Sequence, residues 1–185
     1  FGTYALQNNT GFYNTASGYE ALKSNISGLH NTASGYRALK NNTTGHYNTA
    51  YGSNTLHSNI SGAENTAIGF FALFYNTTGK YNTASGTYAL TRNTTGEYNT
   101  AYGYGALQYS EGSNNTASGA YALSENTLGN HNTAYGYEAL QYNNTGEHNT
   151  ASGAFALNSN TGSYNTASGY EALQNNTSGS KNTAS

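Results

Sequence analysis

The sequence predicts an all-β parallel β-solenoid (β-roll), in which short strands stack coil on coil. A repeated unit of 16–17 residues, two turn signals in every unit, and a unit too short for two amphipathic helices all favour this class. The triplet Asn-Thr-Ala opens each unit, and its Asn is unit position one. The consensus is N-T-A-[S/Y/I]-G-Y-x-A-L-x-x-N-[T/I/N]-[T/S]-G-x-[Y/H].

Residues 1–185 form one repeat solenoid of eleven units. Phe1 and Ser185 both fall at unit position four, and the terminal units resemble the central ones. Because solenoids require distinct capping repeats, we expect the chain to be an in-phase window of a longer fibre. Two spacings are 16 rather than 17, with the deletions at 110–112 and 160–162. A deletion confined to one place predicts a surface turn there.

Gly at position five and Asn-x-x-Gly at positions twelve to fifteen divide each unit into two short segments. We expect two strands per coil, N-T-A-x-G and Y-x-A-L-x, stacked about 4.8 Å apart over roughly 50 Å. Alternation directs Asn, Ala and Gly inward, with Leu at position nine as the large core residue. The inward Asn side chains predict an amide ladder. Its members are Asn14, Asn31, Asn48, Asn65, Asn82, Asn99, Asn115, Asn132, Asn149 and Asn165.

Composition excludes several classes of function. Charged residues make up 8% of the chain and the net charge is −2. The sequence therefore offers no basic surface that would bind nucleic acid. A mean hydropathy of −0.69 without an apolar run of about 20 residues predicts no membrane insertion. The sequence has no Asp and no Cys. Catalytic triads that contain Asp, thiol nucleophiles and EF-hand calcium sites are therefore excluded. We therefore expect a protein that is not an enzyme and needs no cofactor or metal.

Some charged and titratable side chains recur at the same unit position. Glu20 with Arg37 and Lys80 with Glu97 predict exposed ion pairs between neighbouring coils. His131 and His148 both occupy position seventeen. They are either a metal-binding pair or two exposed polar residues where Tyr is otherwise used.

The unit Asn65–Tyr81, NTAIGFFALFYNTTGKY, resembles the SVAIG-type head repeat of YadA-like trimeric autotransporter adhesins. The general form NTAxGYxALxxNTTG is similar to repeat arrays of bacterial and phage tail-fibre or surface-fibre proteins. The resemblance covers every unit. It implies a parallel β-roll, left-handed in the YadA-like heads, that trimerises into a stalked adhesin.

Aromatic residues at positions six and seventeen predict rows of aromatic side chains on the surface along the solenoid. Their members Tyr19, Tyr36, Tyr47, Tyr81 and Tyr98 would stack on one another, pack against a neighbouring protomer, or bind sugar rings.

The Asn at position twelve heads an Asn-x-Ser/Thr sequon in seven units. On exposed turns these side chains would be glycan acceptors in a secretory pathway. The alternative is that Asn stands here because it is favoured in turns. The candidates are Asn25, Asn42, Asn59, Asn76, Asn93, Asn143 and Asn176.

Thr occupies position two of every unit. The resulting row of Thr side chains resembles one of the two Thr rows of ice-binding solenoids. The companion row at position four is interrupted by Tyr51, Ile68, Tyr102 and Tyr135.

Together these features predict a non-enzymatic fibre or surface rod located outside the cell or on its surface. The first alternative is an adhesin or tail-fibre head that binds a host receptor or carbohydrate, and the second is an ice-binding solenoid. The core of each coil is thin, so we expect self-association as a homotrimer or fibre bundle.

Overall fold

The computed structural model describes residues 2–185; Phe1, which the sequence places at unit position four, lies outside them. Every coil contributes one short strand that starts at its position-two Thr. The strands are β1 (Thr15–Ser17), β2 (Thr32–Ser34), β3 (Thr49–Tyr51), β4 (Thr66–Ile68), β5 (Thr83–Ser85), β6 (Thr100–Tyr102), β7 (Thr116–Ser118), β8 (Thr133–Tyr135), β9 (Thr150–Ser152), β10 (Thr166–Ser168) and β11 (Thr183–Ala184).

The eleven strands form one parallel sheet in chain order, so the predicted parallel β-solenoid is confirmed. Equivalent residues pair directly: Thr15 with Thr32, and Ala16 with Ala33. The two coils of 16 residues keep this register, because β6 pairs with β7 and β9 with β10 at the same unit positions. Their missing residue is therefore absorbed outside the sheet, on the side of the coil where the turns lie.

The prediction of a second strand per coil is wrong. The segment Y-x-A-L-x forms consecutive turns, because positions seven and nine adopt left-handed backbone conformations. In one coil Arg37 has φ 55° and Leu39 has φ 50°, whereas a strand requires strongly negative φ. Hydrogen bonds between coils continue here, for example from the Leu39 amide to the Thr55 carbonyl at 3.0 Å. The segment is thus stacked in register without being β-structure.

Ala at positions three and eight and Leu at position nine form the apolar core. From Ala33 to Ala167 the position-three Ala side chains are at most 1% exposed, and the Leu column from Leu22 to Leu157 is fully buried. The predicted inward direction of Ala and Leu is therefore confirmed. One polar residue enters the column at position eight, where the Thr55 hydroxyl donates a hydrogen bond to the Gly69 carbonyl at 2.8 Å.

Two columns of buried Asn side chains run beside the apolar core. In the first column, at position one, the Asn48 amide nitrogen donates to Oδ1 of Asn31 at 2.9 Å, and its Nδ2 donates to the Gly62 carbonyl at 2.8 Å. In the second, at position twelve, Nδ2 of Asn59 donates to Oδ1 of Asn42 at 2.7 Å and to the same Gly62 carbonyl at 2.9 Å. The position-fifteen carbonyl thus joins the two columns within a coil that has Asn at position twelve.

Ser110 is the only position-twelve residue of residues 2–185 that is not Asn. Its hydroxyl accepts from Nδ2 of Asn126 at 3.4 Å. Oδ1 of Asn93 in the preceding coil accepts from Nδ2 of Asn99 at 3.4 Å and not from a position-twelve amide. The other short coil carries Asn160, which joins the column to Asn143 and Asn176 at 3.0 Å each. A coil of 16 residues therefore accommodates Asn at this position.

We expect Ser110→Asn to raise the free energy of unfolding by about 1 kcal/mol, because it restores hydrogen bonds inside the protein. Urea titration followed by circular dichroism measures the change. The matched variant is Asn160→Ser, which should lower stability by a similar amount. A stabilised Asn160→Ser protein would contradict the role given to the column.

Candidate functional site

The aromatic residues at position seventeen form stacked columns on the surface. Tyr81 and Tyr98 lie face to face, with ring centroids 4.7 Å apart and an interplanar angle of 8°. Tyr47 stacks on His30 at 5.0 Å, and Glu64 separates these two groups. Tyr47, Tyr81 and Tyr98 are 58%, 41% and 53% exposed. Their edges and hydroxyls therefore face outward, while one face of each ring is covered by a stacked neighbour.

The position-six residues form a second column that continues onto position seven. Tyr19 and Tyr36 stack at 5.5 Å and 10°. Farther along, Tyr104 meets Tyr121 edge to face at 5.2 Å and 70°. The predicted Tyr residues thus lie in two separate columns. The second column contains both face-to-face and edge-to-face pairs.

His131 and His148 stack with parallel rings 4.8 Å apart, and Tyr164 continues the stack on His148 at 5.0 Å. Within residues 2–185 there is no group of three His, Cys, Asp or Glu side chains that could hold a metal ion. The two imidazoles stack at the position that Tyr occupies elsewhere in the column.

Glu20 lies at the centre of a charged cluster. The expected Glu20–Arg37 ion pair forms, but the expectation that it is exposed is wrong, because Glu20 is 5% exposed. Its carboxylate contacts Lys23 at 2.7 Å and both Arg37 and Lys40 at 2.9 Å. Hydrogen bonds from Lys23, and then from Lys40 and Arg37, lower the pKa of Glu20 to about 2. Lys80 and Glu97 form no ion pair in the described part of the chain, so the second expected pair is also wrong.

We expect the Glu20 cluster to make stability depend on pH. A carboxyl group whose folded pKa is lowered stabilises the fold above its ordinary pKa of about 4.3, and this contribution is lost as the pH falls towards 2. Between about pH 5 and pH 2 the melting temperature should therefore fall more in the native protein than in Glu20→Gln. Glu138→Gln is the control at the same unit position and should keep the native pH profile. Equal profiles for the native protein and Glu20→Gln would rule out the effect.

The premise that the sequon Asn side chains are exposed on turns is wrong. Six of them, Asn25, Asn42, Asn59, Asn76, Asn93 and Asn143, are fully buried in the second Asn column, and Asn176 is partly buried. Their Nδ2 atoms donate to the neighbouring coil and to the Gly carbonyl three residues on, as Asn76 does at 2.8 and 3.1 Å. A glycan on Nδ2 would need the space and the hydrogen bonds that hold the coils together.

The outer face of the sheet carries Thr at position two beside the variable position four. Most of these Thr side chains, from Thr32 to Thr133, are half-buried. Tyr51, Ile68, Tyr102 and Tyr135 are 46–50% exposed on the same face, so they stand above the Thr row. Ice binding stays a prediction, which an ice-recrystallisation assay at micromolar protein tests.

A groove along the turns was not predicted from the sequence. It has a volume of about 350 Å³ and lies between positions eleven and thirteen of successive coils. The available signal was the variability of these positions: Arg92 stands where other coils have Asn, Ser, Tyr or Glu, and Glu111 stands where most coils have Thr. The lining consists of Ser58, Tyr75, Thr77, Arg92, Thr94 and Glu111.

Comparisons with known protein families, curated proteins and solved structures gave no match. Residues 2–185 contain no helix that is long and apolar enough to cross a membrane.

Proposed function

We propose that the protein is a non-enzymatic structural rod located outside the cell or on its surface. The observation that carries the proposal is the uninterrupted coil-to-coil bonding: eleven strands in register, with buried Asn columns beside them. Each coil contacts only its neighbours, so the architecture extends in one dimension by adding identical coils. At about 4.8 Å per coil, the ten steps between β1 and β11 give a length near 48 Å.

We further propose that the rods associate side by side, as a homotrimer or fibre bundle. The Tyr columns support this association, because they present ring edges and hydroxyls in straight rows along the rod. Aromatic side chains with a polar tip are enriched where proteins meet, since they bury apolar area and still find a hydrogen-bond partner.

Small-angle X-ray scattering combined with light scattering tests both statements on the chain as it stands. We expect an elongated particle whose mass is a multiple of 19.5 kDa while its length remains near that of one chain. A compact particle would contradict the rod. A monomeric mass at all concentrations, or a length that grows with mass, would contradict side-by-side association.

A receptor-binding or carbohydrate-binding head is the second candidate function. The exposed aromatic residues favour it, although stacking covers the ring faces that a sugar would contact within the columns. Faces remain free only where a column is interrupted, as at Glu64 between Tyr47 and Tyr81. A carbohydrate site on this rod should therefore be sought outside the continuous stacks.

A further inference from the structure

We propose that the groove between Arg92 and Glu111 binds a neutral saccharide of one or two sugar rings through neighbouring hydroxyl groups. The inference deepens the carbohydrate-binding candidate and rests on this groove alone. It requires neither side-by-side association nor a chain longer than the one described.

The groove has the size and composition of a small ligand site. Its volume of about 350 Å³ lies at the lower end of the range of about 300–1,000 Å³ for ligand pockets. One wall consists of Ser58, Tyr75 and Arg92 at position eleven of three successive coils. The other wall consists of Thr77, Thr94 and Glu111 at position thirteen. The lining therefore combines one aromatic ring with a few converging polar groups.

Glu111 is held in place by Thr94, its neighbour on the same wall of the groove. Its Oε2 accepts hydrogen bonds from the amide nitrogen of Thr94 at 3.1 Å and from the Thr94 hydroxyl. In another coil the Thr at this position instead bonds the next coil's carbonyl, as Thr77 does with Thr94 at 3.0 Å. The second carboxylate oxygen, Oε1, has no hydrogen-bond partner among residues 2–185. It is a fixed acceptor that a ligand can use.

Arg92 is also held in place by a neighbour, and its guanidinium group remains available to a ligand. The carbon of its guanidinium group lies 5.2 Å from the ring centroid of Tyr109, a favourable cation–π arrangement. All ion pairs within residues 2–185 involve Glu20, so Arg92 and Glu111 line the same groove without pairing with each other. A cationic donor and an anionic acceptor thus stand apart across a space of ligand size.

The two charges disfavour a ligand that carries a net charge. An anion attracted by Arg92 would be repelled by Glu111, and a cation attracted by Glu111 would be repelled by Arg92. A pair of neighbouring hydroxyl groups satisfies both, since one oxygen accepts from the guanidinium while the other hydroxyl donates to the carboxylate. Charge-assisted hydrogen bonds of this kind are stronger than neutral ones.

Tyr75 supplies the apolar surface that a sugar ring requires. The ring is 49% exposed, and its neighbour Phe74 meets it edge to face at 4.6 Å and 83°. Such a contact differs from the face-to-face stacks elsewhere on the rod, in which successive rings cover one another. Tyr75 can therefore contact the apolar face of a pyranose while Arg92 and Glu111 hold its hydroxyls.

Saturation-transfer NMR with maltose, cellobiose, lactose and N,N′-diacetylchitobiose tests the proposal. The repeat supplies variants that neighbouring coils already tolerate: Tyr75→Ser, Arg92→Asn and Glu111→Thr place residues found at the same unit positions elsewhere. Tyr142→Ser is the matched control, because Tyr142 also occupies position eleven and is 49% exposed but lies outside the groove.

We expect at least one disaccharide to bind, and each groove variant to weaken its affinity at least tenfold. Tyr142→Ser should leave the affinity unchanged. The proposal fails if none of the four disaccharides binds, or if Tyr142→Ser weakens binding as much as Tyr75→Ser does. It also fails if the native protein binds glucuronate more tightly than the neutral sugars, because the groove would then be an anion site. Rod length from X-ray scattering is independent of every one of these outcomes.

Discussion

Replacing Gly69 with alanine should lower the free energy of unfolding by about 2–6 kcal/mol. A methyl group at this position would lie 2.6 Å from the carbonyl oxygen of Gly86 and 2.7 Å from its carbonyl carbon. Both atoms belong to the backbone of the next coil, so the clash is relieved only by separating the coils. The φ of 128° adds strain. Backbone strain and overpacking each cost about 1–3 kcal/mol. Chemical denaturation followed by circular dichroism measures the loss.

Gly169→Ala is the control that separates the two causes. Gly169 has nearly the same φ, 127°, but the nearest atoms to an added methyl group are 4.0 Å away. This variant should therefore show only the strain, about 1–3 kcal/mol. If Gly69→Ala and Gly169→Ala were equally stable, close approach of the coils would not be the reason for glycine at position five.

The period and the inward-facing residues could be predicted because both follow from a repeat that places the same residue above itself. Ala at position three and Leu at position nine recur without interruption from coil to coil, and both proved buried. The second strand could not be excluded in this way. Leu39 and Arg37 have left-handed φ values, although neither residue type favours that region. Packing of the coils imposes the conformation, and only Gly105 and Asn54 at position seven gave a local hint.

The candidate sites were harder to predict because one residue type serves two purposes. Asn followed by Thr or Ser reads equally as a sequon on a turn and as the inner member of a ladder. The distribution along the chain separates the two: position twelve is Asn in ten of eleven units, while positions eleven and thirteen beside it vary. Such constancy indicates an interior contact. The variable positions around it form the groove that contains Arg92 and Glu111.

Replacing Asn59 with leucine should destabilise the protein by about 4–6 kcal/mol, although leucine has the same branching and a similar size. Nδ2 of Asn59 donates to Oδ1 of Asn42 at 2.7 Å and to the Gly62 carbonyl at 2.9 Å. Its own Oδ1 accepts from Nδ2 of Asn76 at 2.8 Å. Three buried hydrogen bonds are lost, each worth about 1 kcal/mol, and Oδ1 of Asn42 is left without a donor at a further cost of about 1–3 kcal/mol. Thermal and urea unfolding report the change.

Two variants show whether the loss comes from the buried amide column. Asn144→Leu changes an exposed Asn at position thirteen whose side chain makes no hydrogen bond within residues 2–185, so it should shift stability by less than about 0.5 kcal/mol. Asn59→Ser reproduces the residue present at Ser110 and should fall between the native protein and Asn59→Leu, because a hydroxyl restores part of the bonding. A leucine at position 59 that left stability unchanged would mean that apolar contacts alone hold the coils together. The Asn columns would then set the register of the stack without stabilising it.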